Sequence, residues 1–577
     1  MTDRVELLEE RVTALAAAVE ALESRLAGLE RGTGNGLAGP EAESAPGEEA
    51  GTGEDGRGAG RAGSAPLVLA GRAFLGVGGA YLVRALTEAG TLPQLGGVFL
   101  GLAYAGAWAF AADRTGRLAM RSDATLHGLL ALGVALPLLW EATVRMNVLS
   151  PGLAGALLVA SGVTVFTVAW RRDLAGVAWA ATVGTVGIAW GLLLATTRIE
   201  LFTLVLVGVG AGTLWTTYGR RWHGLRWPAA LAADLAVLAL VTLASRAGGP
   251  PEAYAGLSAA RGVAAALLLF VVYVGSFAAR TLARRRVVNV FEVVQTLAVL
   301  VVGYGGAVRL AHAAGTGEEA LGVAALALSG LAYGAAFGFV SREASGGRNF
   351  VFFATLALVL ALYGGALLAD GSALALVWTA FGLAASLLGR RFGRLSLAAH
   401  GAAYLAAAAV PAGLLAATFS AFRFAQAGAP TFPGPAAAAV AVSAAFAWWT
   451  ALGGDTRPDV SPGASLSRTL LVLVMAFFAG ATAVSALRTV LHPAASAPVG
   501  TAVLAAAAVV LAALRARLGA EETGWLAWTV LAAAAIRILG HDLPGGGPAA
   551  LFASFAIYGL ALLAVSRLGK RVAVRSA

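Results

Sequence analysis

Apolar stretches of about twenty residues recur along this chain from residue 67 to residue 566, separated by short polar gaps. A helix of ~20 residues, rising about 1.5 Å per residue, crosses the ~30 Å hydrocarbon core of a bilayer. The sequence therefore predicts an all-α polytopic integral membrane protein with about 18 transmembrane helices. The stretches are 67–87, 95–112, 124–142, 152–170, 174–195, 201–218, 228–245, 262–283, 287–307, 321–341, 350–369, 372–389, 395–417, 435–453, 469–489, 498–514, 524–540 and 548–566.

Basic residues are divided unevenly between the gaps. The even-numbered gaps, counted from the amino terminus, and the carboxy-terminal tail together contain 25 Lys and Arg residues. The odd-numbered gaps and the helix ends beside them contain nine. Because cytoplasmic loops retain an excess of Lys and Arg, the alternation supports the segment count. It also predicts that both termini are cytoplasmic.

The composition excludes several classes of function. The chain is 59% apolar and 12% charged, unlike a soluble domain of this length. Its net charge of +10 is dispersed over loops that flank the membrane, so it indicates contact with the lipid bilayer and no nucleic-acid partner. Without cysteine, and with six scattered histidines, the sequence predicts no metal site. We find no catalytic motif and no motif for a cofactor.

Residues 1–30 follow an unbroken heptad pattern. β-Branched residues at position a with Leu at position d favour a parallel two-stranded coiled coil, and hence a homodimer or a coiled-coil protein partner. The alternative is a lone amphipathic helix on the bilayer surface. Position a contains Val5, Val12, Val19 and Leu26, and position d contains Leu8, Leu15, Leu22 and Leu29.

The composition also divides the chain into regions. Residues 31–66 are rich in Gly, Ala, Glu, Ser and Pro, so they cannot bury enough apolar surface to fold. We predict a disordered linker there, followed by a multi-helix transmembrane domain at 67–566. Residues 567–577 form a basic tail, predicted to be cytoplasmic.

Polar residues inside the predicted membrane segments require an explanation, because a charge at membrane depth costs at least about 2.5–3.5 kcal/mol. The candidates on the cytoplasmic half are Arg72, Asp234, Glu292 and Gln295. One hypothesis is a proton- or ion-coupling site with Arg72 as a counter-charge. The alternative is a structural ion pair, or side chains that extend to the headgroups.

A second set of polar residues ends the membrane segments on the opposite side. The positive-inside rule predicts few basic residues there. One hypothesis is an outward-facing basic cleft for an anionic group such as a lipid phosphate, which guanidinium binds in a bidentate manner. The alternative is contact with headgroups or with helix carboxy-terminal carbonyls. The set consists of Arg84, Arg309, His312, Arg488, His492, Arg537 and His541.

Three passages carry a resemblance to a known family: 71–90, 136–191, and the phrase 537–543 with Ser554-Phe555. In layout they resemble a large family of uncharacterised bacterial multi-pass membrane proteins, a domain of unknown function. Its members have a coiled coil, a low-complexity linker and many short-looped helices. The resemblance implies a location in the bacterial inner (plasma) membrane, and it implies no activity. The family usually has Lys at the position of Arg537 and often Arg at the position of Leu551.

Three functions are compatible with this pattern. The first is a transporter or flippase-like protein for an anionic amphiphile of the envelope, whose identity the sequence does not give. The second is a membrane scaffold that recruits partners through residues 1–30. The third is a membrane-embedded transferase acting on lipid-linked sugars, for which Glu88, Glu141 and Asp542 are the candidate acids.

Overall fold

The computed structural model describes residues 58–220, 222–339, 347–422, 431–452, 462–491, 498–545 and 547–576. The predicted coiled coil at 1–30, most of the predicted linker and His492 lie outside the described residues, as does the side chain of Arg72. Residues Arg72–Ala577 form one compact unit.

Every regular element in these described ranges is helical, which confirms the all-α prediction. In chain order the helices are α1 Gly58–Glu88, α2 Gln94–Arg117, α3 Arg121–Val144, α4 Pro151–Arg172, α5 Ala175–Thr196, α6 Ile199–Thr217, α7 Arg226–Ala244, α8 Ala259–Ala283, α9 Val290–Ala314, α10 Glu318–Gly338, α11 Gly347–Leu368, α12 Gly371–Phe392, α13 Leu395–Ala408, α14 Leu414–Phe422, α15 Pro435–Leu452, α16 Pro462–Val490, α17 Val499–Leu518, α18 Glu521–Asp542 and α19 Pro548–Ser576.

Sixteen helices in the described part of the chain are long and apolar enough to cross a membrane. The two predicted stretches outside this set are 67–87, which lies within α1, and 395–417. The second is interrupted: α13 ends at Ala408, and α14 begins at Leu414. Pro411 explains the interruption, because proline lacks a backbone N–H and its ring clashes with the preceding helical turn. Gly413, with φ +71°, reverses the backbone before α14.

Consecutive helices joined by even-numbered gaps pack closely, because glycines let their backbones approach. A Cβ at Gly364 of α11 would lie 2.8 Å from the carbonyl oxygen of Gly322 in α10. A Cβ at Gly401 of α13 would lie 2.9 Å from the carbonyl oxygen of Gly382 in α12. Since lipid supplies no hydrophobic drive between helices, small residues and close backbone contact favour these hairpins.

Contacts near the helix ends link even-numbered gaps to one another. Arg172 in the fourth gap donates to Asp113 in the second gap at 2.7 Å. Arg220 in the sixth gap donates to the carbonyl of Trp170, just before the fourth gap, at 2.7 Å. Asn349 in the tenth gap accepts at Oδ1 from the backbone N–H of Val288, just after the eighth gap, at 2.8 Å. Neighbouring basic gaps therefore lie together.

Odd-numbered gaps are linked in the same way. Arg84 and Glu141, beside the first and third gaps, form an ion pair of 2.9 Å. Glu200 in the fifth gap accepts from the backbone N–H of Ser258 in the seventh gap at 3.1 Å. These contacts and those of the even-numbered gaps fit a chain whose loops alternate between two faces.

The alternation predicts the accessibility of single cysteines. The chain contains no cysteine, so Arg284→Cys and Asp370→Cys provide labels without a background signal. We expect a membrane-impermeant maleimide to modify the two positions from opposite sides of the membrane, because residue 284 lies in an even gap and residue 370 in an odd one. Labelling of both from the same side would contradict the topology.

Candidate functional site

A groove of about 570 Å³ lies between α1, α2 and α3. We call it the amphipathic groove. Its charged lining consists of Arg84, Glu88, Glu141 and Arg145. Its apolar lining includes Val77, Val83, Val134, Pro137 and Leu138. A groove with charged and apolar lining can bind a molecule that has a polar headgroup and an apolar chain.

The charged groups of the amphipathic groove form a chain of ion pairs. Arg84 donates from Nε to Glu88 at 2.9 Å, and its Nη2 lies 2.9 Å from Glu141 Oε1. Arg145 donates from Nη1 to the same oxygen at 3.0 Å. The groove therefore has two cations and two anions. The Glu88 and Arg145 side chains are 60% and 69% exposed, so their ion pairs are easily exchanged for a ligand's charges.

Two residues of α3 shape the wall of the amphipathic groove. A Cβ at Gly133 would meet no atom within 4 Å, so this position is open. Pro137, inside the same helix, has no backbone N–H to donate to the carbonyl of Gly133 four residues earlier. The carbonyl of Gly133 therefore lacks its usual helical donor.

A second polar site, the Arg537 network, lies at the end of α18. Arg537 donates from Nη1 to the carbonyl of Phe422 at 2.8 Å, and its Nε lies 4.0 Å from Asp542 Oδ1. Asp542 Oδ2 accepts from the hydroxyls of Thr501 at 2.6 Å and Ser554 at 2.7 Å. Arg537 and Asp542 are both buried, so the network joins four helices through paired polar groups.

The Arg537 network depends on a glycine and on a wide helical turn. A Cβ at Gly500 of α17 would lie 2.6 Å from Nη2 of Arg537, so a larger residue would require the guanidinium to move. Residues Ile538–Asp542 form a π-helical turn, a local widening that is frequent at functional sites. This burial favours the structural interpretation of Arg537 over an open anion site.

The outer candidate residues occupy three places in the structure. Arg488 interacts electrostatically with both Arg537 and His541, so these three candidates are close together. Arg84 lies in the amphipathic groove. Arg309 is exposed near the end of α9, where His312 pairs with Glu318. Among the described residues, therefore, Arg84, Arg309 and Arg537 have different surroundings.

A third polar site, the Glu292 network, lies at the start of α9. Glu292 is fully buried, and its two carboxylate oxygens accept from Nη1 of Arg280 at 2.6 and 2.8 Å. Tyr218 donates its hydroxyl to Glu292 at 3.0 Å. Asn289 and Glu292 also form a reciprocal capping box that begins the helix. Arg280 therefore supplies a counter-charge for Glu292. Arg72, the counter-charge considered from the sequence, has its side chain outside the described part of the structure.

The Tyr218 hydroxyl remains a donor in this network. It donates to Glu292, and the guanidinium of Arg280 lies 4.9 Å from the Tyr218 ring centroid. Tyr218 and Arg280 are 74 and 12 residues from Glu292, so no local sequence signal identified them as its partners.

Asp234 and Gln295, two of the candidates on the cytoplasmic half, lie together. Gln295 donates from Nε2 to both carboxylate oxygens of Asp234, at 2.8 and 2.9 Å. Both residues are buried. Asp234 and the Glu292 network belong to α6–α9 and their ends, whereas the Arg537 network belongs to α14 and α17–α19. The structure thus places the inner candidates and Arg537 on different helices.

Searches of protein-family models, curated proteins and solved structures found no match to this chain.

The packing of Gly500 against Arg537 gives a stability prediction. Gly500→Ala should lower the free energy of unfolding by about 1–3 kcal/mol, because the new methyl group overpacks a buried site. Gly559→Ala in α19 is the matched control, since a Cβ there meets no atom within 4 Å. Thermal unfolding in detergent would compare the two, and equal midpoints would contradict the packing argument.

Proposed function

We propose that this chain is a transporter or flippase-like membrane protein that binds an envelope amphiphile in the amphipathic groove. The observation that carries the proposal is a cavity of about 570 Å³ with Arg84, Glu141 and Arg145 beside apolar side chains. Ligand sites are typically clefts of about 300–1,000 Å³ with an apolar lining and a few placed polar groups.

The charges of the amphipathic groove refine the class of ligand. Arginine binds phosphate through a planar pair of donors, so Arg84 and Arg145 suit a phosphate-containing headgroup. Glu88 and Glu141 suit an ammonium group. The proposed ligand is therefore an amphiphile whose headgroup contains a phosphate. A zwitterionic headgroup matches the two cations and two anions of the groove better than a purely anionic headgroup does.

We further propose the finer topology. Helix α1 and the α13–α14 pair complete eighteen membrane segments, and both termini are cytoplasmic in the bacterial inner membrane. Two observations support this arrangement. Arg is concentrated in the even-numbered gaps, and the contacts described above join even gaps to even gaps and odd gaps to odd gaps. Membership of the multi-pass family remains a proposal, supported by the hydrogen bond between Asp542 and Ser554 in the shared closing phrase.

The two alternative functions remain hypotheses. A scaffold would act through the heptad segment 1–30, so deletion of that segment should abolish its role while changes in the groove leave it intact. A transferase would need an acid in a cavity on the odd-gap face. Glu88 and Glu141 line the amphipathic groove, and both accept hydrogen bonds or ion pairs from Arg84.

A translocation assay tests the proposal. The full-length chain in vesicles of phosphatidylcholine and phosphatidylglycerol, with a trace of acyl-labelled fluorescent phosphatidylethanolamine, should expose inner-leaflet label to dithionite faster than protein-free vesicles. Gly133→Leu should slow this exposure at least several-fold, because leucine fills the open wall of the groove without changing its charge.

The control is Gly187→Leu in α5, where a Cβ also meets no atom within 4 Å, outside the groove lining. Substitution of labelled phosphatidylglycerol for phosphatidylethanolamine separates an anionic from a zwitterionic preference. The proposal is overturned if wild-type protein accelerates exposure of neither lipid, or if the two leucine variants behave alike.

A further inference from the structure

Four acidic residues in the described part of the chain are buried: Asp234, Glu292, Glu522 and Asp542. Three of them have an arginine within 4.0 Å. Arg280 lies 2.6 Å from Glu292, Arg468 lies 3.7 Å from Glu522, and Arg537 lies 4.0 Å from Asp542. Asp234 is the exception, because no described cation lies within that distance.

Asp234 is also deep in the membrane segment. It lies eight residues after Arg226, the first residue of α7 (234 − 226), or ~12 Å along the helix axis at about 1.5 Å per residue. A carboxylate at this depth costs at least about 2.5–3.5 kcal/mol unless its charge is neutralised. One amide group of Gln295, shared between two oxygens, does not supply a compensating charge.

A buried hydroxyl without a partner lies near Asp234. Tyr273 of α8 is fully buried, and its hydroxyl has no hydrogen-bond partner among the described residues. Tyr273 interacts electrostatically with Asp234. Gly210 of α6 faces the Tyr273 hydroxyl, and a Cβ at Gly210 would collide with it. This glycine therefore permits a polar group in an otherwise apolar region.

The helices that pack on α7 carry several other titratable or charged groups: Glu200, Tyr218, Arg261, Tyr273, Arg280, Glu292, Tyr304, Arg309 and His312. Most are engaged elsewhere. Tyr218 and Arg280 hold Glu292, and Tyr304 donates to the carbonyl of Leu321.

The groups at the odd-gap ends of these helices are also engaged or exposed. Arg261 pairs with Glu200 at 3.0 Å, His312 pairs with Glu318, and Arg309 is exposed. On α7 itself, Arg226 lies over the Phe291 ring at 4.6 Å. Tyr273 and Gln295 remain as the polar neighbours of Asp234.

We infer that Asp234 is a proton-binding site within the membrane, and that Gln295 is the positioning residue that orients its carboxyl group. A proton neutralises the carboxylate and needs no additional volume, which suits a side chain enclosed by α7, α8 and α9. The protonated oxygen becomes a donor, for which rotation of the Gln295 amide group supplies Oε1 as the acceptor. When the proton leaves, Gln295 Nε2 donates to both oxygens of the carboxylate, as in the structure.

This inference deepens the proposed function and rests on it in one respect, namely that the proton on Asp234 is coupled to movement of the amphiphile. It assigns different roles to the two inner acids that the sequence grouped together. Glu292 is held by Arg280, Tyr218 and the Asn289 backbone, so its charge is compensated at the helix start. Asp234 is the group that is free to exchange a proton.

Infrared difference spectroscopy on the full-length chain in vesicles measures the protonation directly. We expect the carbonyl stretching band of a protonated carboxyl group to appear as the pH is lowered, and to shift when the chain contains isotopically labelled aspartate. Asp234→Asn should remove this band. Asp370→Asn, which removes an exposed loop carboxyl group, should leave it unchanged.

Two features keep the experiment decisive if Asp234→Asn does not fold. Asp234→Glu should retain a titrating band that no longer responds to labelled aspartate, and the isotope shift needs no variant. The inference is overturned if no aspartate band titrates. It is also overturned if sodium at constant pH changes the ionised carboxylate band while no protonated band appears at any pH, since the site would then bind sodium.

The lipid assay separates this inference from the proposed function. A titrating Asp234 band in a protein that moves no labelled lipid would retain the proton site and overturn the transport proposal. Lipid movement that is equally fast in wild-type protein and Asp234→Asn at every pH would retain transport and overturn the coupling.

Discussion

The absence of water in the hydrocarbon core is the constraint on which the rest of this structure depends. Each polar group within the core must find its partner inside the protein. The described ion pairs accordingly lie near helix ends, as with Asp113 and Arg172, or link helices, as with Arg468 and Glu522. Because each of these pairs connects one even-numbered gap to another, the arginines that set the topology also hold neighbouring hairpins together.

Glycine makes much of this charge burial possible. Gly500 leaves room for the guanidinium of Arg537, and a Cβ at Gly524 would lie 2.6 Å from Nη1 of Arg515. In a membrane, helix association depends on close packing and polar contacts because lipid gives no hydrophobic drive. The abundant small residues therefore have two roles here: they bring backbones together, and they accommodate large basic side chains between helices.

The sequence predicted an all-helical fold because length and hydropathy are local properties, and it named Asp234 and Gln295 among the candidates on one half of the membrane segments. It did not predict the break at Pro411, because the surrounding alanines and leucines are apolar on both sides. Nor did it predict that Glu141 pairs with Arg84, or that Tyr218 binds Glu292. Those contacts join distant parts of the chain, so tertiary packing decides them. Gly133, which lines the amphipathic groove, likewise resembled every other glycine of the membrane segments.

Exposure separates the amphipathic groove from the buried networks. Arg537 is enclosed by Phe422, Gly500 and Asp542, and breaking such a buried pair leaves an uncompensated charge that costs about 3–5 kcal/mol. The ion pairs of Glu88 and Arg145 involve largely exposed side chains and contribute little to stability, so a headgroup can replace them at little cost. A site that must bind and release a ligand needs this second kind of charge, and the groove combines it with an apolar wall.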